Sequence, residues 1–120
     1  MYVFDRAYNE LNFWWRIISH ESHFVTRIKN VRRVRLKKLS LPKTKVGVLW
    51  EGEWKPSKAT LEQKKYTDLP KDFTLRHIIY RDPETKKVFD FITSENEISA
   101  QEVADIYKKR WAVELLFRWL

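Results

Sequence analysis

Tyr107, Arg110 and Glu114 follow one another at steps of three and four residues. On a helix of about 3.6 residues per turn they fall within roughly 60° of arc. At the margin of a buried face, a phenol, a guanidinium and a carboxylate spaced in this way can point into one cleft. Spacing alone favours a plainer reading, in which Arg110 and Glu114 are an i,i+4 ion pair on a solvated helix surface, worth a few tenths of a kcal/mol. A second group is basic. Arg27, Lys29, Arg32, Arg33, Arg35, Lys37 and Lys38 succeed one another with no acid between them. Such a run either tracks a DNA strand by neutralising phosphates or forms the solvated face of an edge strand, where lysines block aggregation; the residues leave both open. His20, His23 and His77 do not form a metal-ligand set and read as structural.

The whole chain is basic too. Its 24 Lys and Arg stand against 16 acids, a formal charge of +8. An excess of this size favours a polyanionic partner, usually nucleic acid, although a solubility charge or a membrane-surface role would produce it as well. The 120 residues suffice for one domain with a modest core. A hydrophobic content of 43% excludes a disordered composition. The absence of cysteine excludes disulfides, zinc–cysteine sites and thiol chemistry, and fits a reducing cytoplasm. No apolar run reaches the ~18 residues needed to span a bilayer, and the first residues lack the order of a signal peptide. Aromatic residues are abundant, with 6 Trp; most belong in a core, and an exposed one could stack on a base.

These side chains need elements to position them. Tyr2-Val3-Phe4 is a short β-prone run that stops at Asp5. Over residues 9–20, Leu11, Trp14, Trp15 and Ile18 recur at helical steps, with Asn9 as N-cap. Residues 23–28 read as a strand, and 31–41 alternate apolar and basic residues like a half-buried strand. Further strands are predicted in 45–54 and 74–93, the latter broken by a hairpin turn at Arg81–Lys87. Lys55 to Lys71, with Pro56 and Pro70, reads as loop with little regular structure. Ser99 and Glu102 form a capping box that opens a helix over 99–120, with Val103, Ile106, Val113, Phe117 and Leu120 on its apolar face and Tyr107, Arg110 and Glu114 beside it.

Residues 92–120, with Tyr107, Arg110 and Glu114 in the order Tyr, two residues, Arg, three residues, Glu, resemble the end of the catalytic domain of insertion-sequence DDE transposases of the IS-four family. Trp111 and Phe117 match the surroundings of that signature, whose closing lysine would fall one position past Leu120. Asp5-Arg6-Ala7-Tyr8 is similar to the family's motif around its second catalytic aspartate, with Ala7 where Gly is frequent. Phe24–Lys29 is similar to the strand that follows. The resemblance implies that Asp5 and Glu114 are catalytic carboxylates holding two divalent ions, Mg2+ or Mn2+, for in-line attack on a phosphodiester. It implies that Tyr107 and Arg110 contact the DNA backbone near the cleaved end, with a forked guanidinium suited to phosphate. The family's first aspartate has no candidate ahead of Asp5, so the chain by itself is expected to be inactive.

The implied fold is α/β: a partial RNase H-like core interrupted by a β-rich insertion. Residues 1–29 would supply strand, helix and strand of the core with the second Asp, 30–96 the insertion, and 97–120 the final core helix with the Glu. The DNA-binding set is then Tyr107, Arg110, Arg27, Lys29, Arg32, Arg33 and Arg35. Trp50 and Trp54 could hold a flipped base, though core packing suits each better. Expected partners are transposon-end and target DNA and a second copy in a synaptic complex, with no membrane, in the cytoplasm of a prokaryote at its nucleoid. The alternatives are a non-enzymatic basic nucleic-acid-binding module and an inactive transposase remnant.

Overall fold

Runs rich in aromatic and β-branched residues form the strands. In the computed structural model, which describes residues 1–4, 11–28 and 45–118 (position 60 and positions 114–118 by backbone alone), Tyr2–Phe4 (β1) pairs in parallel with Phe24–Ile28 (β2). A parallel pair cannot be closed by a hairpin, and helix Leu11–Ser19 (α1) lies between the two strands in sequence. Gly47–Trp54 (β3), Leu75–Arg81 (β4) and Val88–Thr93 (β5) are antiparallel to their neighbours. The result is one mixed five-stranded sheet in the order β1-β2-β5-β4-β3. The join is β2 to β5, with Val25 opposite Thr93 and Ile28 opposite Asp90. The strands of 47–93 therefore extend the sheet that residues 2–28 begin.

Both faces are covered. On one, α1 sets Leu11, Trp14 and Ile17 against Phe24, Ile28, Leu75 and Ile92. On the other, helix Ala100–Arg118 (α3) sets Ala100, Val103, Ala104 and Tyr107 against Val25, Ile78, Tyr80 and Phe91. Coverage on both sides explains why β2 and β5 bury apolar residues on both faces, Phe24 beside Val25 and Phe91 beside Ile92. Fully burying each large apolar side chain contributes roughly 1.5–3 kcal/mol. Among the described residues no helix is long and apolar enough to cross a membrane.

Three expectations need correction. Lys55–Lys71 is not plain loop: it holds a short helix, Lys58–Leu61 (α2), and a 3-10 turn, Lys64–Tyr66. That stretch and its continuation bury Tyr66, Leu69 and Phe73 under the α1 face. In α1 the buried position is Ile17, while Trp15 and Ile18 are partly buried at the rim. In α3, Val113 is 41% exposed and Tyr107 is 4% exposed, so the packed face runs through the tyrosine. Periodicity assigns a face by residue type, whereas packing selects the positions that the sheet covers. The expected N-cap Asn9 and the basic strand of 31–41 lie outside the described residues.

Candidate functional site

Local hydrogen bonds start α3 where the sequence says. Ser99 Oγ accepts from Glu102 N at 3.1 Å, and Glu102 Oε1 accepts from Ser99 N at 3.3 Å, closing the reciprocal cap. The loop before it is anchored to the sheet. Arg76 Nη1 donates to the carbonyls of Glu95 (3.2 Å) and Ile98 (2.7 Å), while its Nε donates to Glu51 Oε1 (2.6 Å). A guanidinium held at several points fixes where the helix begins, and hence where its later residues fall.

Two turns into α3, the ring of Tyr107 lies 4.8 Å from that of Phe91 and 6.3 Å from that of Phe89. Arg110 is exposed. The helix continues through position 114, seven residues after Tyr107, which at about 100° per residue returns to within about 20° of the tyrosine's side. Position 114 therefore lies on the side of α3 that Tyr107 turns to the sheet. On the strand side, Val3 of β1 packs against the same apolar cluster, and Asp5 is the second residue after it. Arg27 of β2 stands over the Phe89 ring at 5.5 Å, a cation–π contact that joins β2, β5 and α3 through Phe89 and Tyr107. Arg27 and Tyr107 are thus tied to one face of the sheet, and Arg110 lies exposed on the helix that covers that face. Asp5, Lys29, Arg32, Arg33 and Arg35 lie outside the described residues, as does the side chain of Glu114. Among the described residues no three His, Cys, Asp or Glu could hold a metal ion together.

Two charged features were not singled out by the sequence. The first is at the β4–β5 hairpin. Asp82 N donates to Lys87 O and Lys86 N to Asp82 O, both at 2.9 Å, closing the turn. Asp82 Oδ1 accepts from Glu84 N at 2.9 Å and lies 3.6 Å from Lys108 Nζ on α3. The Glu84 N–H chiefly, then the Lys108 ammonium, hold the Asp82 carboxyl below its ordinary pKa against the opposing effect of burial. The second is a buried pair: His77 Nε2 meets Asp90 Oδ1 at 2.9 Å, with exposures of 1% and 0%. An acid in the middle of Val-Phe-Asp-Phe-Ile and a histidine in Leu-Arg-His-Ile-Ile were the available signals. The Trp50 ring meets His77 edge-on at 5.1 Å and also lies over Gly52. Trp54 meets Trp14 edge-on at 5.7 Å, in the α1-face core.

Residues 1–120 match the family described as "Transposase DDE domain". The chain is 27% identical over 119 residues to a Sinorhizobium fredii protein named as a transposase, covering 99% of this chain and 32% of that one. It is 28% identical over 120 residues to a Geobacillus stearothermophilus protein named as a transposase for insertion sequence element IS5377, covering 98% of this chain and 29% of that one. The chain thus spans about a third of the length of these relatives. No solved structure matches it significantly.

Proposed function

This chain belongs to the family of transposase DDE domains, and on that premise we propose that it is part of an insertion-sequence transposase of the IS-four type, which cleaves and joins DNA at transposon ends. The observation that carries this reading is the match of residues 1–120 to the transposase DDE domain. It is supported by the helical phase of α3, in which position 114 returns to the side of the helix that Tyr107 occupies. In this reading the sheet is an RNase H-like core, with residues 1–29 and 97–120 as core segments and 30–96 as the insertion that extends it.

Asp5 and Glu114 are hard oxygen donors, the ligand type that magnesium or manganese requires, with substrate phosphate and water completing the shell. The ions, when bound, activate the attacking oxygen and stabilise the leaving one. The chain's own residues do the positioning. Tyr107, seated on Phe91, sets the helical phase of Arg110 and Glu114. Arg110, exposed one turn on, offers a planar fork to a phosphate next to the cleaved bond. Arg27, Lys29, Arg32, Arg33 and Arg35 would carry DNA past this end of the sheet, and a second copy would hold the other transposon end.

The test is cleavage of transposon-end DNA with magnesium by the whole protein and by its Asp5→Ala and Glu114→Ala variants. Loss of cleavage with retained DNA binding supports the assignment. Activity within a few-fold of the parent in either variant removes that residue from the site. DNA binding without metal-dependent cleavage in the parent would favour the non-enzymatic binding module or an inactive remnant.

A further inference from the structure

We propose that the β4–β5 hairpin and the adjoining turn of α3 form a second DNA contact, in which Lys86, Lys87 and Lys108 hold phosphates of a duplex; this rests on the transposase reading above. The backbones of Lys86 and Lys87 and the ammonium of Lys108 are each tied to Asp82. Its backbone closes the turn by accepting from Lys86 N and donating to Lys87 O, both at 2.9 Å. Its carboxylate lies 3.6 Å from Lys108 Nζ, so a rigid hairpin and a rigid helix are pinned side by side. Asp82 is itself 7% exposed and bonded to Glu84 N at 2.9 Å. It serves as the hub beneath the lysines while contributing little negative surface.

The surface above it is positive. Lys86 and Lys87 are exposed, and neither ammonium has an acid partner among the described residues. Lys109 and Arg110 extend the basic stretch along α3 and are exposed as well. The exposed acid of the turn is Glu84. Lys86 has a φ of 63°, a left-handed conformation that Gly or Asn adopts at lower cost.

Phosphate is the group this surface fits. The amines are point charges spread over two elements, and a duplex offers a continuous line of phosphates. The location agrees with the proposed chemistry. β5 begins beside the C-terminal end of β2, Ile28 facing Asp90, and β1 runs parallel to β2 toward that same end, where Asp5 follows. A duplex lying on the hairpin would pass the end of the sheet that carries the proposed carboxylate.

The experiment measures affinity of the whole protein for duplex transposon-end DNA as a function of salt. It compares the parent with Lys86→Asn/Lys87→Gln, in which Asn keeps the left-handed turn, and with Lys86→Arg/Lys87→Arg, which keeps the charge. Each phosphate contact contributes about 0.9 to the slope of log K against log salt. The Asn/Gln variant should therefore be shallower by about 1 to 2, and the Arg/Arg variant should match the parent. A parent slope retained by the Asn/Gln variant overturns the hairpin contact and leaves the transposase reading intact. An equal loss in the Arg/Arg variant also overturns it, because charge would then not be the cause. If the parent shows no salt-dependent binding to duplex DNA, the transposase reading fails and the hairpin contact with it.

Discussion

On the α1 face of the sheet an imidazole and a carboxylate meet away from water. His77 Nε2 stands 2.9 Å from Asp90 Oδ1, and Asp90 faces Ile28 on one neighbouring strand and Ile79 on the other. On the α3 face a phenol takes the centre. Tyr107 packs on Phe91, while Arg27, Lys108 and Arg110 stay at the margins, half-buried or exposed. The more unusual constellation is the buried pair, yet it has no access to a polyanion. Phosphate chemistry needs charge that a duplex can reach, and the α3 face and the adjoining hairpin offer it in Lys86, Lys87 and Arg110.

The comparison breaks first at the proposed carboxylates. Asp5→Ala or Glu114→Ala should reduce transposon-end cleavage by about 10³-fold or more, roughly 4 kcal/mol of barrier, with the thermal midpoint nearly unchanged. A large fall in stability with intact cleavage would reverse the roles assigned to the two faces. On the α1 face the expected sign is opposite. Asp90→Ala or His77→Ala should destabilise by about 3–5 kcal/mol, because the remaining partner is left buried without its counterpart. Denaturant titration reads this directly, and a loss under about 1 kcal/mol would show that the site relaxes or hydrates. Gly52→Ala probes the same face through packing alone. A Cβ there would run into the Trp50 ring, and the forced shift should cost about 1–3 kcal/mol.

Smaller effects sharpen the contrast. Ser99→Ala removes the side-chain cap of α3 and should cost about 1 kcal/mol; an unchanged midpoint would mean that Arg76 alone anchors the helix start. The pH dependence of Asp82 is smaller still. Its folded pKa lies below the ordinary 3.8, so its stabilisation is present above that value and is lost as pH falls through the lower, folded pKa. Asp82→Asn should flatten the stability profile on the acid side of pH 3.8 and leave the slope near neutrality unchanged. An identical acid limb in parent and variant would show that neither the Glu84 N–H nor Lys108 stabilises the Asp82 carboxylate in solution.

How much of this was legible follows from how far apart the interacting residues are. The capping box of Ser99 and Glu102 joins residues three apart, and it stands where it was expected. The turn at 82–87 closes through bonds between residues four and five apart, and it too was read from Asp, Pro and polar neighbours between apolar runs. The strands of 24–28, 47–54 and 75–93 followed from their aromatic and β-branched content. The matching spacing of Tyr107, Arg110 and Glu114 led to the DDE transposase family, which the match over residues 1–120 shows.

Tertiary structure decided the rest, since it depends on register and cover. The pairing of His77 with Asp90 requires β4 and β5 to align so that Ile79 faces Asp90, and a one-residue slip would send the two side chains to opposite faces. Ile17 is buried and Ile18 is left at the rim because the sheet covers only part of an amphipathic helix. Tyr66, Leu69 and Phe73 joined the core from a stretch whose polar composition concealed them. Tyr107 shows the division within one residue. Its spacing to Arg110 and Glu114 is a property of the helix and was present in the sequence. Its place at the centre of the packed face, on Phe91 and Phe89, exists only once β5 is inserted between β2 and β4, because no local interaction specifies which strand the ring will meet.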